Sequence, residues 1–563
     1  MSAGDDGTDV LVVGAGPTGL VCASELLRRG VRVRIVDELG APSPYSKALG
    51  VHARTLEIFE DFGVVDDLLA RGIRVEGASM RAGDKPVIEV ELGELDSRFN
   101  FILCVSQVET ETVLRAMLEK RGGHIERGTK LVSLEEDASG VSATLKKAGG
   151  EEERVRASWV VGCDGAHSTV RHAVSATFEG HTYEETFVLA DVRLDWDEPT
   201  NHITTYFAED GVVMFFPVHA DRWRIILTSA APLGDAPTLD EVRAMVERRA
   251  GRAVPMRDAV WISPFRIHCR QVACYRHGRV FLAGDAAHVH SPVGGQGMNT
   301  GIQDAHNLAW KLALVVAGRG REVLLESYDA ERHPIGRHVL DQTDFATKMG
   351  LLTGVLAPIR NQIARFVTSF EPVRRRIVRD AAELTVAYPS SPIVGEHTTS
   401  PLGARLARPE AGETPTLGSL AEFASGPRPG ARAPDGKVTI ASYGRASRLG
   451  EIWSGDAFTL LLFDGRSPSG DGYERLVGIA RRMRDAWKGL VRAHVVTPRA
   501  GRPREIPDDV SVLLDSGELE SRYGAKTECL YLVRPDLYVG FRSQPADARA
   551  LDAHLATLLV EPR

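Results

Sequence analysis

The chain reads as an α/β protein: a Rossmann-like sheet, interrupted by a second, wholly β segment and followed by a smaller α/β unit. A strand, a glycine turn, a helix and a strand open the chain at residues 9–37. Short apolar strands ending in Asp–Gly or Gly–Asp return at 159–165 and 279–285. Between them, residues 178–277 alternate apolar and polar side chains with the two-residue period of a sheet.

Asp9-Val-Leu-Val-Val13 is a run of β-branched and aliphatic residues, read as a buried parallel strand. Leu20 to Arg29 has helical spacing, with Leu20, Ala23, Leu26 and Leu27 on one face, and Gly30 ends it. Val31 to Val36 is the second strand. Between strand and helix lies Gly14-Ala-Gly16-Pro17-Thr18-Gly19, the G-x-G-x-x-G pattern in its βαβ context. Gly14 permits the tight turn, Gly16 lets a pyrophosphate approach the backbone, and Gly19 lets helix and strand close up. The helix N-terminus then offers free N–H groups to the phosphates. Asp37 ends the second strand, where a carboxylate can accept from ribose hydroxyls. By itself this pattern does not separate NAD from FAD.

Trp159 to Cys163 is a further strand, capped by Asp164-Gly165, and Arg171 follows within a helix. Asp164 and Arg171 are spaced to brace a loop between two nucleotides. Arg279 to Ala283 runs into Gly284-Asp285, and Asp285 is an acceptor-only group suited to ribityl hydroxyls. Gly294, Gly295 and Gly297 then leave a loop almost free of side chains, whose N–H groups can face a planar ring. A helix expected over Ile302–Val316 places that loop at a helix N-terminus, favourable for negative charge on a reduced flavin.

In the β segment, strands are expected over Thr186–Leu194, His202–Ala208, Val212–Val218 and Trp223–Thr228. Tyr206, Met214 and Phe216 fall on alternating positions there and are candidates to wall an aromatic pocket, core packing being the alternative. His268, Cys269, Cys274 and His277 are zinc-type ligands, but they run straight into the strand at 279, so no metal is expected. Residues 338–385 read as helical, with Arg374, Arg375, Arg376 and Arg379 on a solvated face. Pro389 to Gly436 is rich in prolines and glycines, a linker or wrap-around segment. After it come a strand at Phe458–Phe463, a helix at Tyr473–Trp487, a strand at Arg492–Val496, a hairpin turning at Pro535-Asp536, and a helix at Ala546–Leu559.

A length of 563 residues and a hydrophobic share of 43% provide for several domains with a sizeable core. The formal net charge of −8 gives no global basic field for nucleic acid or anionic lipid. Six scattered cysteines form no disulfide framework, which suits a reducing cytoplasm, and with Cys529 alone in the C-terminal part thiol–disulfide exchange is excluded there. The acidic start MSAGDDGTD has neither the basic region nor the apolar stretch of a signal peptide, and no apolar run reaches the roughly 18 residues of a membrane span.

Taken together, Gly14–Gly19, Cys163-Asp-Gly-Ala-His-Ser-Thr-Val-Arg171 and Gly284-Asp285 through Gly301 resemble the class A flavoprotein monooxygenases of the p-hydroxybenzoate hydroxylase fold. The nearest in character are the phenol, pentachlorophenol and aromatic-polyketide hydroxylases. Ala53-Arg-Thr-Leu-Glu-Ile-Phe59, Gln107 and Tyr328-Asp-Ala-Glu-Arg-His-Pro334 add to the match, which covers about residues 8–385 strongly and the rest more loosely. The resemblance implies an FAD domain in two parts (1–177 and 278–388), a substrate-covering sheet (178–277), a linker (389–436) and a thioredoxin-like C-terminal domain (437–563).

For the site, it implies that Gly14, Gly16, Pro17, Thr18, Gly19, Asp37 and Glu38 serve the ADP half of FAD. Asp164 and Arg171 serve FAD and the incoming NAD(P)H, with NADPH favoured. Gly284 and Asp285 hold the ribityl chain. Pro292, Gly295, Gly297, Met298 and Asn299 line the isoalloxazine, and Arg54 and Gln107 contact the flavin. Lys47 stands where the family often has Arg, a point charge in place of a fork. The implied reaction is hydroxylation of a phenolic or polycyclic aromatic substrate by O₂ through a flavin C4a-hydroperoxide, with His52 the candidate base. Baeyer–Villiger oxygenation or epoxidation on the same fold and a nonenzymatic FAD-binding protein are the alternatives. A halogenase ranks below these, since the Trp-x-Trp-x-Ile-Pro segment expected there is missing. The expected partner is a small aromatic molecule, with a homodimer left open and neither nucleic acid nor membrane involved.

Overall fold

In the computed structural model, which describes residues 7–561 apart from 84, 220, 230–236, 353–360, 363–367, 369, 399–416, 454 and 467–469, the opening pattern folds as read. β1 (Thr8–Val13) leads through the glycine turn into α1 (Pro17–Arg28), and β2 (Val33–Asp37) returns parallel to β1. Val10, Leu11 and Val12 are fully buried, in one core with Leu20, Ala23 and Leu26 of α1 and with Leu131, Val141 and Ala143 of the antiparallel pair Thr129–Asp137 and Gly140–Lys147. Downstream, α2 (Ala53–Asp61) and α3 (Gln107–Lys120) join it, α3 starting where the Ser106 hydroxyl accepts from the Glu109 N–H. β3 (Glu152–Gly162) flanks β1 on its other side, the strand Val280–Leu282 adds beyond β3, and the short helix α4 (Thr169–Ala173) carries Arg171. The strands ending at Val13, Gly162 and Leu282 are therefore neighbours, so the three glycine–aspartate motifs emerge along one sheet edge.

The second sheet contains β4 (Phe178–Leu194), β5 (His202–Ala208), β6 (Gly211–His219), β7 (Arg222–Ser229) and β8 (Met256–Val272). It also takes the hairpin Gly77–Ala82 and Lys85–Glu91, which the sequence reading had left inside the first part of the FAD domain. A helix, α5 (Leu239–Ala250), lies within the segment read as strands only. Its Val242 and Val246 pack on Val188, Val213, Phe215 and Ile225 and cover one face of the sheet.

α6 (Gly297–Val316) starts five residues before the expected Ile302, and within its first turns Gly301 lets the helix press against Thr18, where a β-carbon would fall 2.5 Å from the hydroxyl. α7 (Val323–Leu351) and α8 (Glu371–Ala381) follow; part of the stretch between them lies outside the described residues. The C-terminal unit is an eight-stranded sheet in which Phe458–Phe463 runs parallel to Val491–Thr497 and antiparallel to Cys529–Val533. Gly395–Thr398, from the expected linker, pairs with Val539–Gln544 as an edge strand, which makes that part of the linker a wrap-around segment. Trp310 of α6 and Leu324 of α7 are buried in the C-terminal core, so the two units share packing.

Candidate active site

The glycine turn is shaped by close approach. Gly14 has a left-handed φ of 101°, and a β-carbon there would lie 2.3 Å from the Cys163 carbonyl oxygen. A β-carbon on Gly19 would lie 1.9 Å from the Gly14 oxygen. Gly16 differs: its missing side chain faces open space, and no side chain caps α1 at this residue. With Pro17 in the first turn, the uncapped N–H groups of α1 present an anion-binding end. We expect Gly19→Ala to yield protein with less than a tenth of the parental flavin, read from the visible absorbance of purified protein. An undiminished flavin content would show that helix and strand can part without cost to the site.

Asp37 is fixed at the end of β2, accepting from Ala15 N at 2.7 Å and Leu39 N at 2.8 Å, with Arg127 3.5 Å away. Glu38 turns outward to Lys130 at 3.2 Å. The expected Asp164–Arg171 brace takes another form. Asp164 accepts from Ser168 Oγ and from Val170 N, capping α4. The buried Arg171 guanidinium donates to Ala166 O at 2.8 Å and Ala286 O at 3.1 Å and lies over Phe178. It ties the second motif to the third through backbone carbonyls, which a spacing argument from Asp164 does not reveal.

Thr18, in the first turn of α1, sits between the third motif and α6: β-carbons on Gly284 and Gly301 would fall 2.7 and 2.5 Å from its hydroxyl. The Gly284 N–H donates at 3.0 Å to Asp304 of α6, a fully buried residue that also pairs with His288 and Arg332. Sequence reasoning missed Asp304, whose only signal is a lone acid inside an apolar helix. Asp285 itself is open to solvent. Burial nevertheless raises its carboxyl above the usual range, while the charges of His288 and Lys47 pull it down. The carboxylate is thus reachable by solvent yet closely flanked by protein.

The loop after it is locked from below. Asn299 accepts from His52 N at 3.0 Å and donates to Gly50 O and Gly295 O, both at 2.9 Å. His52 Nε2–H donates to Gly294 O at 2.8 Å, and burial pushes this imidazole down to about 4, so it is neutral at pH 7. Its Nδ1 is buried and without a partner among the described residues. Gly294 and Gly295 adopt left-handed φ values of 86° and 66°. Pro292 O accepts from Gly295 N at 2.9 Å, and Met298 packs half-buried on the main core. Gln107 accepts from Ala48 N at 3.1 Å and donates to Glu111 at 2.9 Å, which fixes the segment carrying Lys47.

On the second sheet, Met214 and Phe216 sit half-buried on the face that carries Phe187, Leu189 and Ile226. Tyr206 is a correction. It pairs with Val213, points to the opposite face and packs under α5 beside Phe215. Alternation identified the two faces, but the unread α5 decided which was core. The Met214 face also carries Arg224, bound to Asp191 by two contacts of 2.8 Å, with Nη1 unpartnered among the described residues. Of the zinc-type set, His268 Nδ1 lies 2.8 Å from the Thr182 hydroxyl and Cys274 lies 3.6 Å from His277.

Arg54 is the second correction. Its guanidinium donates to Glu57 at 3.1 Å and to Asp536 O at 2.8 Å, and it lies over Tyr538 of the C-terminal unit. Nearby, Arg534 at the hairpin reaches Glu331 on α7, which also receives Lys311 at 2.7 Å and Asn307 at 2.6 Å. This buried polar cluster joins the C-terminal unit to the helices behind the loop.

The residues present fit a dinucleotide with a flavin end: an uncapped helix terminus at Gly16, a strand-end acid at Asp37, a solvent-reachable carboxylate at Asp285 and a side-chain-poor loop at a helix start. The profile of a family described as FAD binding domain matches residues 7–343. The chain is 34% identical to 6-methylpretetramide 4-monooxygenase from Streptomyces rimosus, over 99% of this chain and 94% of that protein. The anhydrotetracycline hydroxylase structure from the same species superposes with a TM-score of 0.75 at 29% identity, covering 99% of this chain and all of that one. A ternary complex of aklavinone-11 hydroxylase with FAD and aklavinone superposes with a TM-score of 0.73 at 26% identity, covering 99% of each chain.

Proposed function

The chain belongs to this FAD-binding family and is an FAD-dependent aromatic monooxygenase, and from that premise we propose that it hydroxylates a polycyclic phenol. The observation that carries the site assignment is the convergence of the motifs. Gly14 abuts Cys163, and Thr18 is held between Gly284 and Gly301, so three distant segments meet around the first turn of α1. When bound, FAD supplies hydride acceptance from NAD(P)H and activation of O₂.

In our reading the α1 terminus at Gly16 binds the pyrophosphate, Asp37 the ribose and Asp285 the ribityl hydroxyls. The Pro292–Asn299 loop would line the isoalloxazine, where the start of α6 would favour negative charge on the ring. Asn299 and His52 are positioning residues: Asn299 holds the Gly295 carbonyl and His52 the Gly294 carbonyl, which fixes the backbone of that loop. Lys47 places a cation near Asp285. Met214 and Phe216, with Ile226, form the wall that orients the aromatic ring and excludes water from it. Arg54 is in our reading a structural residue, since two of its nitrogens go to Glu57 of its own helix and to the Asp536 carbonyl. Baeyer–Villiger oxygenation and epoxidation gain no support from the relatives' names or from the site. Among the described residues no helix is long and apolar enough to cross a membrane.

Anaerobic stopped-flow reduction of the flavin by NADPH, with and without a panel of polycyclic phenols, tests the reading. We expect at least one member to accelerate reduction tenfold or more. A protein that carries flavin but responds to no aromatic ligand would defeat the phenol assignment.

A further inference from the structure

A cavity of about 240 Å³ lies beside the flavin-side loop, walled by Gln296 of the loop, Gln303 of α6, His338 and Gln342 of α7, and Glu383. It is smaller than the pockets that take whole drug-sized ligands, so it suits one end of a ring system. Glu383 is 3% exposed and holds a left-handed φ of 59°, costly for a residue with a β-carbon. Its carboxyl accepts from Gln303 Nε2 and lies 3.5 Å from the Thr300 hydroxyl, which itself donates to Gln296 O at 3.0 Å. The Gln303 Oε1 is buried with no partner among the described residues.

The charge balance of this wall selects its ligand. Arg332 is the one guanidinium among the described lining residues, and its donors go to Asp304 at 2.7 Å, Tyr388 at 3.0 Å and Thr300 O at 3.1 Å. Two carboxyls, Glu383 and Asp380, face the cavity. Gln303 Oε1 is unpartnered among the described residues and the guanidinium is engaged, so an uncharged N–H or O–H donor finds a partner, while an anionic ligand meets repulsion once Glu383 is ionised. Resting on the hydroxylase reading above, we propose that this cavity is the subsite for an uncharged, hydrogen-bond-donating end of the aromatic substrate, such as a carboxamide. Glu383 and Gln303 accept from it and discriminate against carboxylate-bearing rings.

Ring-matched probes test this: naphthalene, naphthamide and naphthoate, titrated into the flavin-loaded protein at pH 8.5 and followed by flavin absorbance. We expect naphthamide to bind at least tenfold more tightly than naphthoate, and Glu383→Gln to cut that ratio at least fivefold by admitting naphthoate. Because Glu383 is buried, Gln342→Leu at the rim serves as a second variant, expected to weaken naphthamide while leaving naphthalene unchanged. Burial pushes the Glu383 carboxyl up to about 8; Arg332 and the hydrogen bonds from Gln303 and Thr300 oppose the rise, and Asp304 adds to it. Asp380 and His338 share the wall. The amide-over-carboxylate ratio should therefore grow from pH 7 to pH 9 and flatten in Glu383→Gln. Equal binding of all three probes, a ratio untouched by Glu383→Gln, or no binding to flavin-loaded protein overturns the subsite. A protein devoid of flavin brings down the parent reading and the subsite with it.

Discussion

Asp285→Ala is expected to purify largely without flavin. The carboxylate accepts only, and it would take hydrogen bonds from ribityl hydroxyls that no neighbouring side chain replaces. A hydrogen bond to a charged group contributes about 1.5–3 kcal/mol, so its loss weakens FAD by roughly 10- to 100-fold. The apo protein should respond in the opposite sense. Burial raises the Asp285 carboxyl in the folded state, so above its unfolded value this ionised group opposes folding. Without flavin, Asp285→Ala should melt no lower than the parent, and its small advantage should fade as pH falls and the parent's carboxyl takes up a proton. The flavin-to-protein ratio after gel filtration, a titration with added FAD and paired apo melting curves check this. Stoichiometric FAD with an unchanged Kd would remove Asp285 from the site. A large fall in apo stability would make the residue structural instead.

The contrast between what could be read and what could not follows the range of the interactions. Gly14, Gly16, Gly19 and Asp37 lie within one βαβ unit, where local spacing dictates the turn, the helix terminus and the strand-end acid. The strand-end position of Asp285 is legible for the same reason, since a Gly–Asp pair follows an apolar strand. Arg171 links two of the motifs, though through partners other than Asp164. Its contacts, Ala166 O and Ala286 O, are backbone groups, and one of them lies on a different segment. Arg54 sits in a motif that resembles the family, yet its partner Asp536 comes from the far end of the chain. Tyr206 failed differently. The Thr238 capping box with Glu241 and the left-handed Gly251 mark α5 in the sequence, and reading the whole segment as strands hid them. Once α5 is in place, the face bearing Tyr206, Val213 and Phe215 is core, and the open face belongs to Met214 and Phe216. Buried charges are the hardest to foresee, because each needs a partner that folding alone brings near.

Arg534→Met should cause the largest loss of stability among these substitutions. Arg534 is fully buried, and its guanidinium meets both Glu331 of α7 and Asp536 of its own hairpin. Lys311 is the other cation on Glu331, so the substitution leaves two buried carboxylates facing one ammonium. Breaking a buried pair by removing one partner costs about 3–5 kcal/mol, a large share of a domain's margin of about 5–15 kcal/mol. For a unit of the C-terminal part's size, that corresponds to a drop in Tm of roughly 10–25 °C. Burial alone would raise the Glu331 carboxyl, but Arg534 and Lys311 hold it well below the usual range. Its contribution is therefore full above the unfolded carboxylate value and fades as pH falls through the folded one. In the variant the same carboxyl loses its main cation and rises, so protonation relieves it. The deficit against the parent should shrink between pH 7 and pH 4. Adding Glu331→Gln to Arg534→Met should recover part of the loss, because the uncompensated charge is gone and the amide can still accept from Asn307 and Lys311. Thermal unfolding of the parent, the single variant and the double variant across that pH range decides the matter. A single variant that melts with the parent at every pH would show that the hairpin is held by its apolar packing on Trp310, and that the charges are incidental.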